Sequence, residues 1–149
     1  MMKKKRIIGL ICLLGLMAFP SILHAQEDLQ IRKVFDKFGH NKNVVMVELS
    51  EDMLESYNLT LYKSISIKDE PSAIEYIRRC LKKDQEGAKK IKQVIKAGEL
   101  FSAYYQLAKK GSDNRFILFK NEDEAATLIY IETPVETDNI VNLLLKKGQ

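Results

Sequence analysis

Apolar positions along the chain follow two rhythms, and the densest stretch lies at residues 115–133. Phe116, Ile117, Leu118 and Phe119 are apolar in succession, as are Leu128, Ile129, Tyr130 and Ile131. The acidic stretch Asn121, Glu122, Asp123 and Glu124 separates the two runs, so the spacing predicts a β-hairpin. Strands with one wet face alternate apolar and polar residues, whereas strands covered on both sides do not. The hairpin is therefore predicted to form the centre of a sheet.

Elsewhere the rhythm alternates between helical and extended. Ile31, Val34, Phe35 and Phe38 recur at helical spacing, predicting a helix over 28–39 that Asp28 caps and Gly39 ends. Residues 44–49 read as a strand with Val45, Val47 and Leu49 on one face, followed by a short helix over 51–57 capped by Ser50. Residues 61–68 alternate more cleanly. Leu61, Lys63, Ile65 and Ile67 share one side, with Tyr62, Ser64, Ser66 and Lys68 on the other. Pro71 suits the first turn of a helix whose buried stripe is Ile74, Ile77, Cys80 and Leu81. After a break at 84–87, Ile91, Val94 and Ile95 predict a second helix ending at Ala97 with Gly98 as terminator. Residues 100–107 alternate again, placing Phe101, Ala103, Tyr105 and Leu107 opposite Ser102, Tyr104 and Gln106. A last helix is predicted from Thr137 or Asp138 through Leu145, with Ile140, Val141, Leu144 and Leu145 inward.

The predicted order is α-β-α-β-α-α-β-β-β-α. It specifies an α+β fold, a mainly antiparallel sheet of about five strands with helices packed mostly on one face. There is no internal repeat, linker or low-complexity tail.

The N-terminus departs from both rhythms. Lys3, Lys4, Lys5 and Arg6 precede an apolar run at 7–19, and Leu23, His24 and Ala25 end in a small residue before Gln26. That layout predicts a secretory signal peptide over 1–25 and a single domain over 26–149. The run has 13 residues, short of the roughly 20 a spanning helix needs, so no stable membrane span is expected after cleavage. Periplasmic or secreted localisation follows. Charge then changes meaning. The chain holds 24 Lys and Arg against 20 Asp and Glu; four basic residues and no acidic ones leave with the signal, giving 20 of each. The basicity belongs to the targeting segment and is no argument for nucleic acid. Only Cys80 remains among the cysteines, so no internal disulfide is expected.

Candidate chemistry is sparse. His40 follows Gly39 in a polar turn, a setting for a solvated residue rather than a general base. Cys80 lies on an apolar helix stripe and reads as a small hydrophobe. One Cys and one His do not make a zinc site, and the 121–124 run lacks calcium-loop spacing, so neither a metal nor a cofactor is expected. Arg78, Arg79, Lys82, Lys83, Lys89, Lys90, Lys92 and Lys96 form a basic run expected across two helices, either as a solvated surface or as a patch for an acidic partner. Glu48, Glu75 and Glu132 are the carboxylates that a hydrolase reading would use, in a cleft holding two of them about 5 to 10 Å apart. Tyr62 and Tyr104, on the polar sides of their strands, mark a sheet face that fits a protein partner or a homodimer.

Three stretches also carry a resemblance: VFDKFGHNKNVVMVELSEDMLESY at 34–57, AKKIKQVIKAG at 88–98, and RFILFK with TLIYIE at 115–120 and 127–132. Together with the signal segment they resemble an uncharacterised family of small exported proteins typical of Bacteroidota, classed as a domain of unknown function. The resemblance implies export and an α+β fold and carries no catalytic residue. The expectation is an exported cell-envelope protein acting as a non-catalytic binding module. A carboxylate-dependent hydrolase and an accessory of envelope stress signalling are the alternatives.

Overall fold

A computed structural model describes residues 29–122 and 125–136. The chain runs through α1 (Arg32–Phe38), β1 (Val44–Glu48), α2 (Glu51–Ser56), β2 (Leu61–Lys68) and α3 (Pro71–Asp84), then a 3-10 turn at Gln85–Gly87. Four strands follow: β3 (Ala88–Lys96), β4 (Glu99–Lys110), β5 (Asp113–Glu122) and β6 (Ala125–Thr133). All six strands join one antiparallel sheet in the order β1-β2-β6-β5-β4-β3. The β5–β6 hairpin occupies its centre, as the unbroken apolar runs require. The fold is α+β, with six strands where the sequence predicts about five. The expected closing helix at 137–145 and the Asp28 cap lie outside the described residues.

The sixth strand is the main correction. Residues 88–96 form β3 at the sheet edge, where a helix is predicted. Its register slips between Ala88 and Lys90 and again between Val94 and Ile95. A β-bulge adds one residue to a strand and breaks its period of two. Ala88 opposite Leu107 and Ile91 opposite Tyr105 therefore share a face three residues apart, and the spacing imitates a helix. Ala97 and Gly98, at φ 51° and 78°, form a two-residue hairpin turn between Lys96 and Glu99. Gly98 ends a strand here, not a helix.

The second slip also moves Phe101. Ile95 pairs with Leu100 while Val94 pairs with Ser102, so Phe101 falls in the bulge. Leu100 packs on the helix-side core in its place, and the Lys96 ammonium sits 3.8 Å from the Phe101 ring centroid.

Helices α1 and α3 cover one face of the sheet. From α1 come Val34, Phe35 and Phe38, and from α3 Ala73, Ile77, Cys80 and Leu81. They meet Ile65 and Ile67 of β2, Ala126 and Leu128 of β6, Ile117 and Phe119 of β5, and Ala103, Tyr105 and Leu107 of β4. Each fully buried Ile or Leu contributes about 1.5 to 3 kcal/mol, so this layer dominates stability. Ser50 precedes α2, yet its hydroxyl makes no capping bond. The start of α1 is capped from far along the chain: the Asp84 carboxylate accepts from the Gln30 and Ile31 backbone N–H groups at 2.8 and 2.9 Å. Burial pushes the Asp84 carboxyl above its usual range, opposed by those two N–H groups.

Candidate functional site

The opposite face carries the residues predicted to bind a partner. Antiparallel register sets them in rows across the strands. Tyr62 lies beside Ile131, Ile131 beside Phe116, and Phe116 beside Gln106. In the next row Val47, Ser64, Ile129, Leu118 and Tyr104 follow one another. Phe116 and Ile131 are buried and form a second apolar cluster, separate from the helix-side core. Tyr62, Tyr104, Leu118 and Ile129 surround them half-buried, and Leu59 and Val135 pack against the same cluster. The Tyr104 ring stacks on Phe116 at 6.1 Å between centroids. Val45 and Val47, 64% and 40% exposed, extend the apolar surface to the β1 edge.

Tyr62 and Tyr104 thus occupy one face, three strands apart in the sheet. The sequence reading missed how apolar that face is. Alternation assigns Phe116, Leu118, Ile129 and Ile131 to the side away from the helices, but runs that are apolar at every position give no sign of which half is covered.

The carboxylates named for a hydrolase do not converge. Glu48 pairs with Lys63 at 3.5 Å near the β1 edge. Glu132 is buried, accepts from the Tyr130 hydroxyl at 2.9 Å and lies 3.5 Å from the Lys110 ammonium. Arg115 is its cross-strand neighbour and donates to the Ala108 carbonyl at 2.7 Å. Burial, then the Glu132 carboxylate beside it, drives the Tyr130 phenol well above its ordinary range. Glu75 lies at the other end of the sheet, in a shallow cleft of about 340 Å³ that includes Glu99 and Asn121. Asn121 and Arg115 are about 20 Å apart along β5, which separates Glu75 from Glu132. Within that cleft Arg78 bridges Glu75 and Glu99, whose side chains are 57% and 66% exposed. Two solvated carboxylates held on one guanidinium form a surface ion-pair network, without the desolvation that acid–base catalysis uses.

His40 is exposed in the turn after α1 and is the one histidine among the described residues. Cys80 is buried, and that burial pushes its thiol up, away from reactivity. Of the 121–124 run, Glu122 pairs with Lys120, while Asp123 and Glu124 lie outside the described residues. The basic run divides. Arg78 is held by Glu75, Glu99 and the Leu100 carbonyl, and Arg79, Lys82 and Lys83 stay on α3. Lys89, Lys90, Lys92 and Lys96 belong to strand β3, so the expected patch across two helices does not form. Among the described residues no helix is long and apolar enough to cross a membrane.

No curated protein and no solved structure matches the chain. A family model described as a family of unknown function, DUF6108, matches residues 18–144. With the match running through every described strand and helix, the chain belongs to the DUF6108 family.

Proposed function

We propose that this protein is a non-catalytic binding module of the cell envelope, exported by residues 1–25, and that it engages a protein partner through the sheet face around Tyr62 and Tyr104. One observation carries the reading: the face away from α1 and α3 has its own apolar cluster, ringed by half-buried Tyr62, Tyr104, Leu118 and Ile129. Aromatic residues among small polar ones suit a protein interface, since a tyrosine ring offers a large apolar area; the Tyr104 hydroxyl itself is buried, so this residue would present its ring. The exposed Val45 and Val47 lengthen that surface toward one edge.

Leu118→Lys tests this. Leu118 lies between Ile129 and Tyr104 in the middle row. A charge there should leave the helix-side core folded and abolish association, whether with a second copy seen by light scattering or with an envelope partner seen by cross-linking. Unchanged association in a folded variant overturns the reading. The solvated Arg78 cleft gives the hydrolase alternative no support, and turnover of a glycoside or ester that is lost in Glu75→Gln would contradict the binding reading.

A further inference from the structure

Away from that face, between α1 and α3, lies a cavity of about 190 Å³ lined by Gln30, Lys33, Tyr76, Arg79, Cys80 and Lys83. Three of the six lining residues are cations and none is an acid. They converge from two helices distant in sequence, which neither helix requires for its own stability. Lys37 adds a fourth positive charge at the rim, its ammonium 4.5 Å from the Tyr76 ring centroid, with the Arg79 guanidinium 5.7 Å from the same ring.

Some cations elsewhere on the molecule are paired with acids. Lys63, Lys110 and Lys120 each meet a carboxylate, and Arg78 meets two. Among the described residues Lys33, Arg79 and Lys83 meet none; Lys33 donates to the Gln30 side chain at 3.0 Å, which fixes its direction. Asp84 is the nearest buried acid, and both its oxygens are engaged by the N–H groups that open α1. Like charges gathered over a partly apolar floor of Cys80 and Tyr76 repel one another; the Asp84 carboxylate, which acts on Lys33, offsets part of this, and a bound anion would offset the rest.

We infer that this cavity binds a phosphoryl oxyanion, as a phosphate monoester or a phospholipid headgroup. Two ammonium groups and one guanidinium match the several oxygens of a tetrahedral phosphoryl group better than the two of a carboxylate. The inference is independent of the partner face, because the two sites lie on opposite sides of the sheet.

The test uses the mature chain, with inorganic phosphate followed by amide NMR shifts and vesicles of phosphatidylcholine with phosphatidylglycerol followed by sedimentation. Arg79→Gln/Lys83→Gln should weaken binding by about tenfold or more, since charged hydrogen bonds are lost. Lys90→Gln/Lys92→Gln on β3 removes the same charge elsewhere and should weaken it by no more than about twofold, the share of general attraction. All four positions are exposed, and melting confirms that each variant is folded. Wild-type response to phosphate alone assigns a soluble phosphate compound; response to vesicles alone assigns a lipid headgroup. Equal loss in both double variants, or no wild-type response to either probe, overturns the inference.

Discussion

Tyr104 and Tyr105 are adjacent, and their environments differ entirely. Tyr105 is 1% exposed in the helix-side core, its hydroxyl directed to Gln93 at 3.5 Å; Tyr104 is half-buried on the other face. Tyr105→Ala should cost about 3 to 5 kcal/mol, the range for truncating a large core aromatic. Tyr104→Ala should cost well under half of that, and chemical denaturation of the two variants measures both. Equal losses would mean that both faces are covered alike. Tyr130 supplies a prediction with a pH sign. Its phenol titrates above the ordinary value of 10.0 because burial and Glu132 disfavour the phenolate. A raised phenol binds its proton more tightly in the folded state, so its stabilisation is complete below 10 and is lost as pH rises toward the folded value. Tyr130→Phe should flatten the alkaline fall in melting temperature, and an unchanged slope would contradict the assignment. Asp84 is the residue that sequence reasoning placed in a mere break. Its partners, Gln30 and Ile31, lie more than fifty positions away, and no local pattern announces a cap supplied at that distance.

Helix α3 and strand β3 mark the limits of what periodicity reveals. The α3 stripe of Ile77, Cys80 and Leu81 is buried as its spacing predicts, because an unbroken helix keeps its period. Strand β3 loses its period to the bulge at Lys89, and an edge strand with one neighbour tolerates Ile91, Val94 and Ile95 at 41%, 47% and 60% exposure. The apolar positions therefore do not trace a buried face. Its four lysines suit an edge, where charge discourages pairing with another sheet. The turn after it separates strand from helix directly. Ala97 holds a φ of 51°, unfavourable for a residue with a Cβ, so Ala97→Gly should stabilise the protein by up to about 1 kcal/mol. If residues 88–97 were instead a helix, the same substitution would weaken its last turn. Denaturant midpoints decide between the two outcomes.

Taken whole, the molecule has one helix-covered face that carries most of its stability and one sheet face with a smaller cluster of its own. The central hairpin, the helix layer and the position of Tyr62 and Tyr104 were legible in the sequence, because alternation assigns sides even where it does not say which side is covered. The convergence of Lys33 with Arg79 and Lys83 was not, since it depends on how α1 and α3 lie together. The proposed export is a prediction about the whole molecule as well. Cleavage after Ala25 predicts a purified envelope form that begins at Gln26 by intact mass, and a form retaining residues 1–25 would contradict it. The proposed role is tested most directly by a photo-reactive side chain at position 104 in cells, compared with one at position 76 on the helix layer. A discrete cross-linked protein from position 104, lost with Leu118→Lys and absent from position 76, is the predicted result; no adduct from position 104, or the same adduct from both positions, contradicts the account.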